Sequence, residues 1–98
     1  MTRRILILGS TGSIGTQALE VISKEKGAFK VVGLSANQNA ALLKKQAQIF
    51  HTDNILLTHD EPRRLSDFVQ KTKADLVLIA VSGQAGIFPL RSAIEQGR

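Results

Sequence analysis

Short, mostly apolar runs alternate with longer amphipathic stretches along this chain of 98 residues, and few folds accommodate such an alternation. Apolar runs of this length are typical of strands that are buried on both faces of a sheet. Four of them are present, at residues 5–8, 29–34, 55–57 and 76–81. Because the connections between the runs are too long for hairpins, we expect the four strands to lie parallel in one sheet.

The stretch after each run repeats apolar residues at helical spacing, which predicts four helices. Asn39 is expected to cap the second helix, and Asp60 with Pro62 to open the third. The fourth helix is predicted over residues 89–96. The inward faces are expected to be Ile14, Ala18, Val21 and Ile22 in the first helix; Leu43, Ala47 and Phe50 in the second; Leu65, Phe68 and Val69 in the third; and Leu90, Ala93 and Ile94 in the fourth.

Repeated strand–helix units predict an α/β fold, a Rossmann-like parallel sheet with helices on both faces. Right-handed crossovers favour the strand order 3-2-1-4, in which the first and fourth strands are neighbours. The fourth strand would then form an exposed apolar edge, which proteins usually avoid. We therefore expect residues 1–98 to be an incomplete nucleotide-binding domain at the start of a longer polypeptide.

The composition agrees with a folded domain and excludes several other classes. Apolar residues make up 43% of the chain and charged residues 21%, which is unlike a disordered or collagen-like sequence. Cysteine is absent, so no disulfide, thiolate metal cluster or thiol nucleophile is available. The apolar runs are far too short to cross a membrane. The net charge of +5 comes from basic pairs on outward helix positions, which predicts no nucleic-acid surface.

Three glycines follow the first apolar run with the spacing G-x-x-G-x-x-G, and each has a distinct expected role. Gly9 lets the chain turn sharply out of the strand. Gly12 lets a pyrophosphate approach the backbone, and Gly15 lets the helix lie close against the strand. No lysine follows the loop, which excludes a P-loop. The glycines predict a dinucleotide site, with an ordinary tight turn as the alternative.

Hydrogen-bond donors are expected to surround that loop. The backbone N–H groups of residues 12–14 would open the first helix without partners inside it, where its dipole favours an anion. The hydroxyls of Ser10, Thr11 and Ser13 could also donate to phosphate oxygens.

His51 and His59 lie apart from any carboxylate cluster and are expected to be surface residues rather than ligands or bases.

The end of the second strand bears on the choice of coenzyme. NAD sites normally place Asp or Glu there, where the carboxylate holds the 2′-hydroxyl of the adenosine ribose. Residues 34–39 contain no acid and include the polar residues Ser35, Asn37 and Asn39. A 2′-phosphate could therefore bind this turn and the amides of the next helix, which favours NADP(H) over NAD(H). The same polar residues could also serve only as turn and cap residues.

Residues 7–17, 29–36 and 81–87 closely resemble the opening segments of the 1-deoxy-D-xylulose 5-phosphate reductoisomerase family. The resemblance extends along the whole chain and is most specific in the glycine loop. It implies that NADPH is contacted by Thr11, Gly12, Ser13 and Ile14, and its 2′-phosphate by Asn37, Gln38 and Asn39.

Members of that family isomerise a sugar phosphate, 1-deoxy-D-xylulose 5-phosphate, and reduce the product with NADPH to 2-C-methyl-D-erythritol 4-phosphate, a step of isoprenoid biosynthesis. The lack of a secretory signal and of a run long enough to cross a membrane predicts a cytoplasmic protein. The resemblance implies a homodimer with Mg²⁺ or Mn²⁺ held by acidic residues of a central domain. Those residues have no counterpart in this chain. We therefore predict no catalytic or metal-binding residue here, and we do not expect these 98 residues to be active alone.

The glycine spacing by itself leaves other functions open. It also occurs in extended short-chain dehydrogenases and epimerases, which use Tyr-x-x-x-Lys, and in semialdehyde dehydrogenases, which use a cysteine nucleophile. Neither signature is present, although either could lie downstream. A module that binds NADP without catalysis is the non-enzymatic alternative.

Overall fold

The structure of the chain is a computed structural model that describes residues 2–25, 27–61, 63–80 and 86–89. Strands and helices alternate through most of it, as the apolar runs predict. The elements are β1 (Arg3–Leu8), α1 (Ser13–Lys24), β2 (Phe29–Ala36), α2 (Ala40–Ile49), β3 (Ile55–Leu57), α3 (Arg64–Lys71), β4 (Leu76–Ile79) and β5 (Gly86–Pro89).

The strands form one sheet in the order β3-β2-β1-β4-β5. The pairs β1–β2, β1–β4 and β2–β3 are parallel, so the predicted parallel sheet of order 3-2-1-4 is confirmed. Ile7 of β1 pairs with Leu34 on one side and with Leu78 on the other. This register places the carboxyl ends of the four parallel strands along one edge of the sheet.

The fifth strand was not predicted from the sequence. Gly86–Pro89 pairs antiparallel with β4, with Val77 opposite Phe88. Pro89 therefore belongs to a strand, and its prediction as the first residue of a helix is wrong. The rest of that predicted helix, from Leu90 onward, lies outside the described residues. Because β5 covers β4, β4 does not form the apolar edge that the sequence predicted.

The core consists of two apolar clusters, one on each face of the sheet. Successive residues of β1 point to opposite faces, so Ile5 and Ile7 join one cluster while Leu6 and Leu8 join the other. All four are at most 5% exposed. The first cluster includes residues of α1 and α2, and the second includes Phe68 of α3. Helices therefore cover both faces, as expected.

Helix α1 packs with a face that matches the predicted one in part, because Ala18 and Ile22 pack against the first cluster as expected. Ile14 and Val21 are 46% and 59% exposed, so their predicted inward positions are wrong. Gly15 and Leu19 are buried instead. The physical reason is the close contact between Gly15 and the preceding loop, which fixes the rotation of the helix about its axis.

Helix α2 follows the prediction. The side-chain oxygen of Asn39 accepts a hydrogen bond from the N–H of Leu42 at 3.2 Å, which confirms Asn39 as the N-cap. Leu43 and Ala47 are buried in the first cluster, and Phe50 packs against it.

Helix α3 begins later than predicted. It starts at Arg64 with Arg63 in the cap position, so Asp60 does not open it. Asp60 instead has a left-handed backbone, with φ of +65°. The predicted inward residue Phe68 is buried, while Pro62 lies outside the described residues. None of the helices in the described segments is long and apolar enough to cross a membrane.

Candidate functional site

A cleft of about 480 Å³ opens at the carboxyl ends of the four parallel strands. In open α/β sheets this edge is where ligands bind, at the point where the strand order reverses. The lining comes from the end of β2 and the segments that follow β1, β2, β3 and β4, together with one residue of α3. Among the described residues it consists of Gly9, Thr11, Gly12, Ser35, Ala36, Asn37, Thr58, Asp60, Leu65 and Ala80.

The glycine loop leaves β1 through Gly9, whose φ of +83° lies in the left-handed region. This conformation confirms the predicted role of Gly9, because residues with a Cβ rarely adopt it. The N–H groups of Gly9 and Ser10 both donate to the carbonyl oxygen of Ser35, at 3.0 and 2.8 Å. The loop is therefore fastened to the end of β2.

Gly15 and Gly12 serve different purposes. A Cβ on Gly15 would lie 2.2 Å from the carbonyl oxygen of Gly9, which confirms that this glycine allows the close helix contact. A Cβ on Gly12 would lie at ordinary distances, 3.6 Å from that oxygen and 3.9 Å from the carbonyl oxygen of Ala80. The local backbone therefore does not require glycine at position 12, and its missing side chain leaves room in the cleft.

Helix α1 begins beside the cleft with unpartnered donors. Among the described residues, no acceptor meets the N–H of Ser13 or of Ile14. The N–H of Gly12 donates to the carbonyl oxygen of Gly9 at 3.3 Å, so its prediction as a third free donor is wrong. The turn of the loop satisfies this group before the helix begins. Two backbone donors and the helix dipole therefore favour an anion here.

Ser10 does not offer its hydroxyl to a ligand, contrary to the prediction. Its side chain is fully buried, and Oγ donates to Oε1 of Gln46 at 2.7 Å. In return, Nε2 of Gln46 donates to the carbonyl oxygen of Ser10 at 2.9 Å. Thr11 lines the cleft, whereas Ser13 and Ile14 are exposed at the start of α1.

Gln46 is a supporting residue that was not predicted from the sequence. It is 6% exposed and ties α2 to the middle of the glycine loop. A signal was available in the sequence, because Gln46 lies three residues after Leu43 and one before Ala47, on the inward face of the helix. A polar residue in that position needs a buried partner.

At the end of β2, the structure brings together two of the three residues expected at the 2′-phosphate. Nδ2 of Asn37 and Nε2 of Gln38 donate to the two carboxylate oxygens of Asp60, at 2.7 and 2.8 Å. The third, Asn39, caps α2 instead. Asp60 arrives from the loop after β3, so an acid does lie beside this turn although residues 34–39 contain none. In the sequence, this position of Asp60 was indicated only by the expectation that β2 and β3 are neighbouring strands.

Neither histidine joins a site in the described structure. His51 and His59 are both exposed, as predicted. Within the described residues, no group of three His, Asp or Glu side chains could hold a metal ion. The described residues therefore do not fit a divalent metal.

The comparison with protein families decides between the enzyme classes that share the glycine spacing. The sequence profile of the 1-deoxy-D-xylulose 5-phosphate reductoisomerase family matches residues 5–66, well over half of the chain. This chain belongs to that family. The match favours it over the extended short-chain dehydrogenases and the semialdehyde dehydrogenases.

Similar reductoisomerases extend far beyond the length of this chain. The reductoisomerase of Tropheryma whipplei is 41% identical over 96 residues, which cover 98% of this chain and 25% of that protein. The reductoisomerase of Leifsonia xyli is 44% identical over 96 residues and is covered to 26%. The chain thus spans about a quarter of the length of these relatives.

A solved reductoisomerase has a similar fold. The enzyme of Zymomonas mobilis, determined in complex with NADPH, superposes with a TM-score of 0.57 at 25% identity. The superposition covers 82% of this chain and 21% of that one. The sheet order and the flanking helices described above agree with this Rossmann-like reductoisomerase fold.

Proposed function

We propose that this chain is the NADPH-binding portion of an enzyme that isomerises 1-deoxy-D-xylulose 5-phosphate and reduces the product to 2-C-methyl-D-erythritol 4-phosphate. The observation that carries the proposal is the start of α1, where the N–H groups of Ser13 and Ile14 meet no acceptor among the described residues, beside the cleft. Family membership and the NADPH complex of the Zymomonas mobilis enzyme support the same coenzyme.

The glycine loop would bind the pyrophosphate of NADPH. The backbone donors of Ser13 and Ile14 supply hydrogen bonds and a favourable dipole, while the bare Cα of Gly12 lets phosphate oxygens come close. Thr11 lines the same part of the cleft and adds a hydroxyl. NADPH, when bound, supplies the hydride for the reduction. This chain's contribution is to hold and orient it.

The adenosine end of NADPH would lie at the end of β2. Asn37 lines the cleft there, Gln38 is exposed next to it, and Asn39 opens α2. The amides of Asn37 and Gln38 are suitable donors for the 2′-phosphate, as the resemblance implies.

Several further properties of the whole enzyme rest on the family resemblance. They are a requirement for Mg²⁺ or Mn²⁺ with ligands outside these 98 residues, a homodimeric assembly and a place in isoprenoid biosynthesis. A cytoplasmic location is proposed from the sequence itself. The described residues supply no metal-ligand set, so any metal ligands would lie outside the described segments.

Calorimetric titration of the protein and its Gly12→Val variant with NADPH tests the proposal. Gly12 has an extended backbone, with φ of −79° and ψ of 178°, which valine adopts readily. The variant should therefore fold, as circular dichroism would show. We expect its NADPH affinity to fall at least tenfold, about 1.4 kcal/mol, because the valine side chain fills the position of the pyrophosphate.

Gln17→Val provides the matched control. Gln17 is exposed on the same helix and does not line the cleft, so this variant should bind NADPH as the unmodified protein does. Unchanged binding by a folded Gly12→Val variant would show that the loop does not hold the pyrophosphate.

A further inference from the structure

We propose that Asp60 is a specificity-determining residue, whose carboxylate occupies the position of the NADPH 2′-phosphate and so reduces the preference for NADPH over NADH. This inference rests on the proposed function, because it requires a nicotinamide coenzyme in the cleft. It departs from the expectation that no acid faces the adenosine ribose.

The geometry places Asp60 where the ribose is expected. In sheets of this type the end of β2 receives the adenosine ribose, and an acid there selects the free 2′-hydroxyl of NAD(H). Asp60 lines the cleft together with Asn37. Its Oδ1 accepts from Nδ2 of Asn37 at 2.7 Å, and its Oδ2 accepts from Nε2 of Gln38 at 2.8 Å. The side-chain amides of Asn37 and Gln38, which could bind a phosphate, therefore already donate to the carboxylate of Asp60.

The backbone holds this carboxylate in place. His59 and Asp60 both have left-handed backbones, with φ of +48° and +65°, in a turn closed by the N–H of Glu61 on the carbonyl oxygen of Thr58 at 2.9 Å. Asn37 fastens the turn to β2: its carbonyl oxygen accepts from the N–H of His59 at 2.9 Å, and its Oδ1 accepts from the N–H of Asp60 and, at 3.0 Å, from Oγ1 of Thr58.

A 2′-phosphate and the Asp60 carboxylate would compete for the same donors. The phosphate carries between one and two negative charges at neutral pH and repels the carboxylate. NADH presents a neutral hydroxyl there, which can donate to a carboxylate oxygen. A phosphate displaced to a position beside the carboxylate, with the two charges about 5 Å apart in water at physiological salt, would bind with roughly a fivefold loss of NADPH affinity from repulsion. Removing the carboxylate also frees the amide donors of Asn37 and Gln38 to bind the phosphate, which raises the NADPH affinity further.

The test is the ratio of the NADH and NADPH dissociation constants in the protein and its Asp60→Asn variant, measured by calorimetry. Asparagine is nearly isosteric and tolerates the left-handed backbone, so the turn is preserved. Its own NH₂ group opposes one of the two amides, which frees a donor for the phosphate. We expect the ratio to rise about five- to tenfold in favour of NADPH. Asp60→Gly, which also suits φ of +65°, is a second variant with the same expectation.

Glu61→Gln is the matched control. It removes the same charge from the neighbouring residue, which pairs with Arg63 and Arg64 at 3.3 and 3.4 Å and does not line the cleft. Its ratio of NADH to NADPH dissociation constants should stay within about twofold of the ratio in the unmodified protein, because a solvated charge outside the site has little effect on a ligand bound there.

The outcomes separate this inference from the proposed function. An unchanged ratio in folded Asp60→Asn and Asp60→Gly variants that still bind NADPH would overturn the role of Asp60 and leave the proposed function standing. An equal rise in Glu61→Gln would also overturn it, because net charge rather than position would then explain the change. If neither the unmodified protein nor any of the variants binds NADPH or NADH, the proposed function is wrong and this inference is wrong with it.

Discussion

Replacing Gln46 by leucine tests whether α2 supports the glycine loop. The side chains of Gln46 and Ser10 are buried, and their two hydrogen bonds, at 2.7 and 2.9 Å, satisfy both the hydroxyl and the carbonyl oxygen of Ser10. Leucine fills a similar volume without offering a donor or an acceptor. The variant therefore removes polar partners while leaving most of the packing in place.

The magnitude follows from the groups that lose their partners. A buried polar group left without a hydrogen bond costs about 1–3 kcal/mol, and Gln46→Leu leaves two of them on Ser10. Burying the apolar leucine side chain offsets part of this penalty. We expect the free energy of unfolding to fall by about 2–4 kcal/mol, which for a domain of this size lowers the melting temperature by roughly 10–25 °C.

Urea unfolding followed by circular dichroism measures the effect. Gln48→Leu is the control, because Gln48 is exposed on the same helix, and it should change the stability by less than about 0.5 kcal/mol. A double-mutant cycle with Ser10→Ala should show coupling, since the second substitution removes one of the orphaned groups. A loss below about 0.5 kcal/mol for Gln46→Leu would refute the reasoning. Strict additivity in the cycle would refute it as well.

Two further predictions concern positions where the backbone geometry decides the outcome. Gly15→Ala should lower the free energy of unfolding by about 3 kcal/mol or more, because its Cβ would lie 2.2 Å from the carbonyl oxygen of Gly9, and this outweighs the better helix propensity of alanine. Gly12→Ala, whose Cβ has ordinary contacts, should be nearly neutral in the same urea titration, and equal losses would contradict this distinction. Asn39→Ala should cost about 1 kcal/mol through loss of the cap to Leu42, whereas Ala41→Ser at an exposed position should change little; a neutral Asn39→Ala would show that the cap is dispensable.

Much of the fold could be predicted because it depends on local patterns. The apolar runs locate β1 to β4, and the handedness of crossover connections orders them. Ile14 and Val21 of the predicted inward face of α1 are exposed because the contact of Gly15 with the loop fixes the rotation of the helix. This contact cannot be seen in the periodicity of the apolar residues. Strand β5 was missed because Pro89 suits either a helix start or an edge strand, and pairing with β4 decides between them.

The candidate site also contains some residues whose roles could be predicted from the sequence and others whose roles could not. The glycine roles follow from neighbours in sequence, so Gly9 and Gly15 could be predicted from spacing alone. Asp60 contacts residues 22 and 23 positions earlier, and Gln46 contacts a residue 36 positions away. Both are polar residues that depend on which strands become neighbours. Recognising their roles requires the strand order of the folded sheet, in which β2 lies between β1 and β3.

Helix α2 connects the two ends of the cleft. It begins at the cap Asn39, next to the Gln38 amide that holds Asp60, and its residue Gln46 holds the glycine loop. The two contacts should affect coenzyme binding differently. Because both coenzymes contain the same pyrophosphate, loosening the loop through Gln46→Leu should weaken NADPH and NADH by the same factor, whereas only the change at Asp60 alters their ratio. A change of the ratio in folded Gln46→Leu would show instead that the loop and the ribose end act as one unit.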